Sequence, residues 1–212
     1  MNDEAKIHLS PQEMELVNNS EWIFTKQAIM HKAHLLLGEL HHEYRKIVEE
    51  EKQFLPDHFQ KPGGKISKGE NYLGLPFLIL DYPAVFSKEN ILAVRTMFWW
   101  ANFFSISLHF SGKVLPKFRD TPQWLSFFKQ KGFYISVSEN EWQHEFGASN
   151  FIDIKKINEE QLQNIFKRNF FKVAKKIELN QWNEAPEFLE KSFKEIVQFI
   201  KISFPPNDEK AL

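Results

Sequence analysis

The stretch from Asn90 to Ser111, NILAVRTMFWWANFFSISLHFS, constrains the fold more than any other part of the chain. Five aromatic rings fall within the seven residues from Phe98 to Phe104. From Phe104 the order Phe, Ser, Ile, Ser, Leu, His, Phe, Ser follows a period of two, which lines one face of a strand but scatters around a helix. The segment predicts two antiparallel strands, Ile91 to Trp100 and Phe103 to Phe110, with the turn centred on Ala101 and Asn102.

In that register Trp100 opposes Phe103 and Trp99 opposes Phe104, and two faces follow. One carries Ala93, Met97, Trp99, Phe104, Ile106, Leu108 and Phe110, with Arg95 as its only charge. The other carries Val94, Thr96, Phe98, Trp100 and Phe103 beside Ser105, Ser107, His109 and Ser111. The first has the composition of a core face. The second mixes apolar surface with a few polar groups, as a ligand cleft does. A sheet half covered by helices and half wet would give the same mixture.

The flanks read as helices. Ser10, Pro11 and Glu13 form a helix start, with a capping oxygen, proline at the first position and a capping-box glutamate. A short helix to Asn18 follows, then a longer one from Ser20 to Glu51 with Met30, Ala33, Leu37, Leu40, Tyr44 and Ile47 on one stripe. Residues 55–74, rich in Pro and Gly, read as a long loop. Phe77 to Leu80 reads as a strand closed by Asp81, Tyr82 and Pro83, and Thr121 with Pro122 starts a helix ending at Gly132. Phe133 to Val137 and Trp142 to Phe146 read as a hairpin, with Phe151 to Ile154 as an edge strand. Beyond Asn158 one helix is predicted through Leu162, Ile165, Phe166, Phe170, Val173 and Ile177, and a second through Phe188 to Ile200, stopped by Pro205 and Pro206.

The sum is an α+β fold: a mainly antiparallel sheet around the aromatic hairpin at 91–110, with N-terminal and C-terminal helices packed on it. A single domain spanning 1–212 is expected, helical over 10–51, sheet-forming over 75–155 and helical over 158–203, with tails at 1–8 and 205–212. The 27 basic and 28 acidic residues nearly balance, so no overall field steers the chain to nucleic acid or an anionic membrane. Seven basic residues between Lys155 and Lys176 read as the wet side of a helix, and nucleic acid is not an expected partner. The absence of cysteine excludes disulfides, thiolate metal sites and a cysteine nucleophile. With no apolar leader in MNDEAKIHLSPQEME the expected location is the cytoplasm. No membrane span is expected, since the one apolar segment contains Arg95, which alone costs roughly 2.5 kcal/mol or more at a bilayer centre.

No complete catalytic motif is present and no cofactor is predicted; the chain reads as a binding protein before an enzyme. The candidate ligand set is Arg95, Thr96, Phe98, Trp100, Ser105, Ser107 and His109, joined by Lys68, Glu70, Asn71 and Tyr72 of the preceding loop. That loop fails as a phosphate-binding motif because Gly69 is followed by Glu70, not Lys. Arg95, among apolar neighbours, must pair with a carboxylate, stack on a ring or reach the sheet margin, and Asp81 and Glu70 are the first candidate partners. The expected ligand is small and partly apolar. The alternatives are an interaction or homo-oligomerisation protein that uses the same aromatics, and a metal-assisted enzyme built on His31 and His34, one turn apart on the long helix.

Overall fold

The computed structural model describes residues 7–60, 63–87, 90–113, 115–116 and 123–203. The capped start at Ser10 is as expected: its hydroxyl accepts from Glu13 N–H while the Glu13 carboxylate accepts from Ser10 N–H at 2.7 Å. Helix α1 (Pro11–Asn18) leads into α2 (Ser20–Glu51), whose Ala33, Leu37, Leu40, Tyr44 and Ile47 are buried as the stripe requires. A continuous antiparallel sheet follows, in the order β1-β2-β3-β4-β7-β5-β6. Its strands are β1 (Lys65–Tyr72), β2 (Leu75–Phe86), β3 (Asn90–Trp99), β4 (Phe103–Gly112), β5 (Tyr134–Ser136), β6 (Phe151–Asp153) and β7 (Phe170–Glu178). Helices α3 (Trp124–Lys131), α4 (Glu159–Lys167) and α5 (Ala185–Ser203) complete the α+β fold.

The aromatic hairpin is present, but its register differs from the expected one by a residue. Trp99 pairs with Phe103 and Phe98 with Phe104, so the turn holds three residues, Trp100 to Asn102. Ala101 sits at φ 59° to make it, and Trp100 N–H turns away to bond Pro76 O at 3.0 Å. An alanine in the left-handed region costs roughly 1–2 kcal/mol and leaves none of the sequence trace that a glycine would. Because side chains alternate, the slip moves every β3 residue to the opposite face. Leu92, Val94, Thr96 and Phe98 join Phe104, Ile106, Leu108 and Phe110 on one face; Arg95, Met97 and Trp99 join Phe103, Ser105, Ser107 and His109 on the other.

Helices α2 and α5 cover the first of these faces. Tyr44 of α2 stacks on Phe193 of α5 with centroids 3.9 Å apart, and its hydroxyl lies 3.2 Å from Thr96 Oγ1 and donates to Leu189 O. That gives buried Thr96 the partner it needs, since a lone buried hydroxyl costs about 1–3 kcal/mol.

Further expectations are corrected. The supposed loop at 55–74 contains β1, an edge strand in which Gly69 makes room for the Phe77 ring: a Cβ there would sit 2.3 Å from it and the ring would have to shift. Strand β2 runs past Asp81 to Phe86, with a register shift between Asp81 and Ala84 at the cis Tyr82–Pro83 bond. The helix from Asn158 ends at Lys167, and Phe170–Glu178 is a central strand. Its residues fit either period, and pairing with β4 decides for strand, because β4 would otherwise expose a whole edge of backbone groups.

Residues 142–146 form no strand; β5 pairs with β6 and β7 instead. Strand β6 lies at the sheet edge as expected. Gly132 closes α3 at φ 71°, while Thr121, Pro122, Pro205 and Pro206 lie outside the described residues. Among the described residues no helix is long and apolar enough to cross a membrane.

Candidate functional site

The face opposite the helices carries the polar chemistry, and the chain itself roofs it. Residues 138–147, between β5 and β6, form a strap without regular structure that crosses β7, β4 and β3. Its roots are fixed by Arg168, which donates to Ser136 O and Ser138 O at 2.5 Å each, and by Asn150, which donates to Glu145 O at 2.7 Å. Phe146 plugs one end among Phe103, Tyr134 and Phe151.

Under the strap the alternation of β3, β4 and β7 brings Arg95, His109 and Lys172 to one side of the sheet. Arg95 is clamped by Asp81, Nε to Oδ1 at 2.7 Å and Nη2 to Oδ2 at 2.9 Å, the bidentate geometry that planar guanidinium and carboxylate favour. Its remaining arm, Nη1, reaches His144 Nε2 at 3.0 Å. The other ring nitrogen of His144, Nδ1, lies 3.2 Å from Lys172 Nζ. Lys172 Nζ donates to two strap carbonyls, Glu141 O at 3.0 Å and Gln143 O at 2.6 Å.

Beside it His109 Nε2 meets the Glu141 carboxylate at 2.9 Å, and the His109 ring packs edge-on to Trp142. At the far margin the Tyr72 hydroxyl accepts from His144 N–H at 2.6 Å and donates to the Glu145 carboxylate.

Burial sets the protonation of this cluster. It pulls the His109 imidazole down to about 3, helped by Arg95 and by Lys172 when that amine carries its proton, and holds His144 well below the ordinary histidine range for the same reasons. Burial, then Arg95, lowers the Lys172 amine to about 7, against the pull of Glu145 and Glu141. Desolvation raises the Glu141 carboxyl, opposed by Lys172, and raises the Tyr72 phenol to about 12 with help from its bond to Glu145.

Five of the residues singled out in the sequence share this face: Tyr72, Arg95, Ser105, Ser107 and His109. Thr96, Phe98 and Trp100 do not belong with them. Thr96 and Phe98 point into the helix-packed core, and the Trp100 ring packs edge-on to Trp22 and Phe98. Lys68 and Glu70 are exposed on β1, where Glu70 pairs with Lys26 at 2.8 Å, so Asp81 alone is the Arg95 carboxylate. Asn71 serves the β1–β2 turn by accepting from Gly74 N–H. His31 and His34 are exposed on α2, and among the described residues no three His, Asp or Glu side chains are placed to hold a metal ion.

Sequence reasoning missed Lys172, His144 and Glu141. The signal for Lys172 was present, since Phe170, Lys172, Ala174 and Lys176 alternate with Phe171, Val173 and Ile177, but a helical period fits the same letters. Nothing local marks His144 or Glu141.

The mixed face opens to solvent at the Glu141 end. Two adjoining pockets of about 380 and 510 Å³ share Glu141, Asn169 and Phe170. One is completed by Ser87, Asn90, Ile91, Ser111 and Gly112, the other by Glu139, Asn164, Lys167 and Arg168. Together they make a polar groove with a floor of Phe170 and Ile91. These features define an α+β protein with one sheet face packed by helices and the other roofed by its own strap over a buried ionisable cluster. Comparison with protein-family models, with curated proteins and with solved structures finds no match.

Proposed function

We propose that this protein binds a small polar ligand with one apolar face in the groove at the Glu141 end of the strapped sheet. The observation that carries the reading is Glu141 itself. It is a partly buried carboxylate with a raised pKa, held by buried His109 and facing a groove rimmed by Asn and Ser side chains together with Glu139, Lys167 and Arg168. Perturbed groups in a concave site are where binding and proton transfer concentrate.

Asn164 and Asn169 supply exposed amide donors and acceptors, Phe170 with Ile91 gives the surface on which an apolar face lies, and Glu141 accepts a donor from the ligand. This keeps the partly apolar ligand expected from the sequence but moves its position. The Ser105 and Ser107 floor lies beneath the strap, and both residues are buried. His109 acts through Glu141.

The test is a thermal-shift and tryptophan-fluorescence screen of nucleosides, amino acids and small sugars, read with Glu141→Gln and Asn169→Ala. A hit should quench or shift Trp142, which packs on His109, and each substitution should weaken it by tenfold or more, about 1.4 kcal/mol. A hit indifferent to both substitutions removes the groove from the proposal.

A second reading, self-association, has its own observation. The hairpin aromatics Phe98, Trp99, Phe103 and Phe104 are buried inside the chain, but Val17, Trp22, Ile23 and Phe24 are exposed together at the α1–α2 junction. An exposed cluster of this kind marks contact surfaces.

A further inference from the structure

We propose that Lys172 is an uncharged amine in the folded protein and that its protonation releases the strap, so that pH governs access to the mixed sheet face. The inference does not rest on the ligand reading; it follows from counting donors and acceptors. A guanidinium has no acceptor, so the contact at 3.0 Å between Arg95 Nη1 and His144 Nε2 requires Nε2 to carry the lone pair. A neutral imidazole with a bare Nε2 carries its proton on Nδ1, and an imidazolium would aim an N–H at the arginine. Nδ1–H then points at Lys172 Nζ, 3.2 Å away, which must accept.

An ammonium cannot accept, whereas a neutral amine has one lone pair and two N–H groups. The two N–H groups have acceptors, Glu141 O at 3.0 Å and Gln143 O at 2.6 Å, and every site of the amine is filled. The neutral form also removes a like-charge pair between Lys172 and Arg95, whose countercharge Asp81 already engages Nε and Nη2 of the arginine with both carboxylate oxygens.

The charges around the amine pull both ways, and burial with Arg95 outweighs the two strap carboxylates. Lys172 is faced by Arg95 from β3 and His109 from β4, and by Glu141, His144 and Glu145 from the strap. Asp81 of β2 stands behind Arg95, Tyr72 of β1 behind Glu145, and Lys176 lies four residues along β7. Burial and Arg95 together bring the amine down to about 7, which puts the switch within the ordinary range of pH.

Adding one proton to Nζ sets N–H against N–H at His144. The ring must then rotate, giving up Arg95 or Lys172, and a rotation of His144 disturbs the segment of backbone whose Glu141 and Gln143 carbonyls the amine holds. The strap keeps other ties at its centre, Glu141 to His109 and the Tyr72 hydroxyl to His144 N–H and Glu145, so the proton loosens the His144 segment first, while Arg168, Asn150 and Phe146 hold the ends.

The experiment uses the full chain with ¹⁵N-labelled lysine. Proton–nitrogen correlation at Nζ should show one lysine as a neutral amine at pH 8.5, lost in Lys172→Met and titrating near pH 7, while the others remain ammonium. Amide exchange over 138–147, corrected for its intrinsic pH dependence, should be at least tenfold less protected at pH 6 than at pH 8.5. Lys172→Met should remove that pH difference. The wild-type spectrum needs no variant to be informative: if every lysine reads as ammonium at pH 8.5, the assignment is overturned. If a neutral lysine titrates while protection of 138–147 stays constant, the latch is overturned.

Discussion

At the scale of single residues, the strapped face concentrates groups that fold in their uncharged form, and this gives stability a definite dependence on pH. His109 is held to about 3 and His144 is lowered as well, while in the unfolded chain histidine titrates at its ordinary 6.5. As pH falls below 6.5 the unfolded chain takes up protons that these folded rings refuse, so stability is lost on that side. Lys172 acts in the same direction higher up: between about 7 and 10.5 only the unfolded chain binds its proton, and stability rises with pH across that window. Glu141, with its carboxyl raised, works the opposite way just above 4.5 and is outnumbered. Melting temperature should therefore climb from pH 5 to pH 7 and again from pH 7 to pH 9. Scanning calorimetry in buffers of constant ionic strength checks it, and a maximum near pH 6 followed by decline would refute the assignment. Lys172→Met should flatten the upper limb and leave the lower one.

At the scale of elements, turns decide what the strands present. The β1–β2 hairpin closes through Leu73 at φ 50° and Gly74 at φ 84°, both in the left-handed region that a two-residue hairpin turn with matching twist demands. Glycine accepts that conformation; leucine does not, and Leu73 is exposed, so no packing repays it. Leu73→Asn should raise stability by about 1 kcal/mol, read by urea denaturation, since asparagine tolerates positive φ and the Asn-Gly pair suits this turn. No gain would mean that the leucine is held by contacts its exposure does not suggest.

The same turns explain what was legible in the sequence. Capped helices, the α2 stripe and the existence of the hairpin could be read because each is carried by local chemistry: Ser10 with Glu13, the spacing from Ala33 to Ile47, the alternation after Phe104. The hairpin register could not be read, because it depends on Ala101 adopting a conformation that alanine disfavours. The expected register set Arg95 on the core face and Thr96 on the ligand face, and the one-residue slip exchanges them. Strand β7 was hidden for a different reason: Phe170–Glu178 is a strand because β4 has an edge to fill, and no property of those nine letters contains that fact. Of the site, Arg95 with Asp81 was foreseeable from the cost of an unpaired arginine, while His144 came from a segment whose position only the assembled sheet defines.

At the scale of the whole molecule, the chain divides its apolar surface unevenly. The sheet, α2 beyond its first turns, and α5 bury a continuous core, yet α1 buries nothing, and Met14, Leu16, Val17, Trp22, Ile23 and Phe24 remain exposed around the α1–α2 junction. An element that buries no side chain contributes little to the folding free energy, however well its capping box orders it, because most helical stability in proteins comes from a packed face. Removing residues 1–18 should therefore shift the midpoint of thermal unfolding by less than about 2 °C, a change on the order of 0.5 kcal/mol or less for a chain of this size. The association state separates the two roles of the arm. If its apolar side chains pair copies of the chain, full-length protein should show concentration-dependent sedimentation that the truncated form lacks, and Phe24→Ser should abolish it without lowering the melting temperature. A full-length protein that sediments as a monomer up to about 100 μM would reject self-association tighter than the micromolar range, where a pairing free energy reaches about 8 kcal/mol.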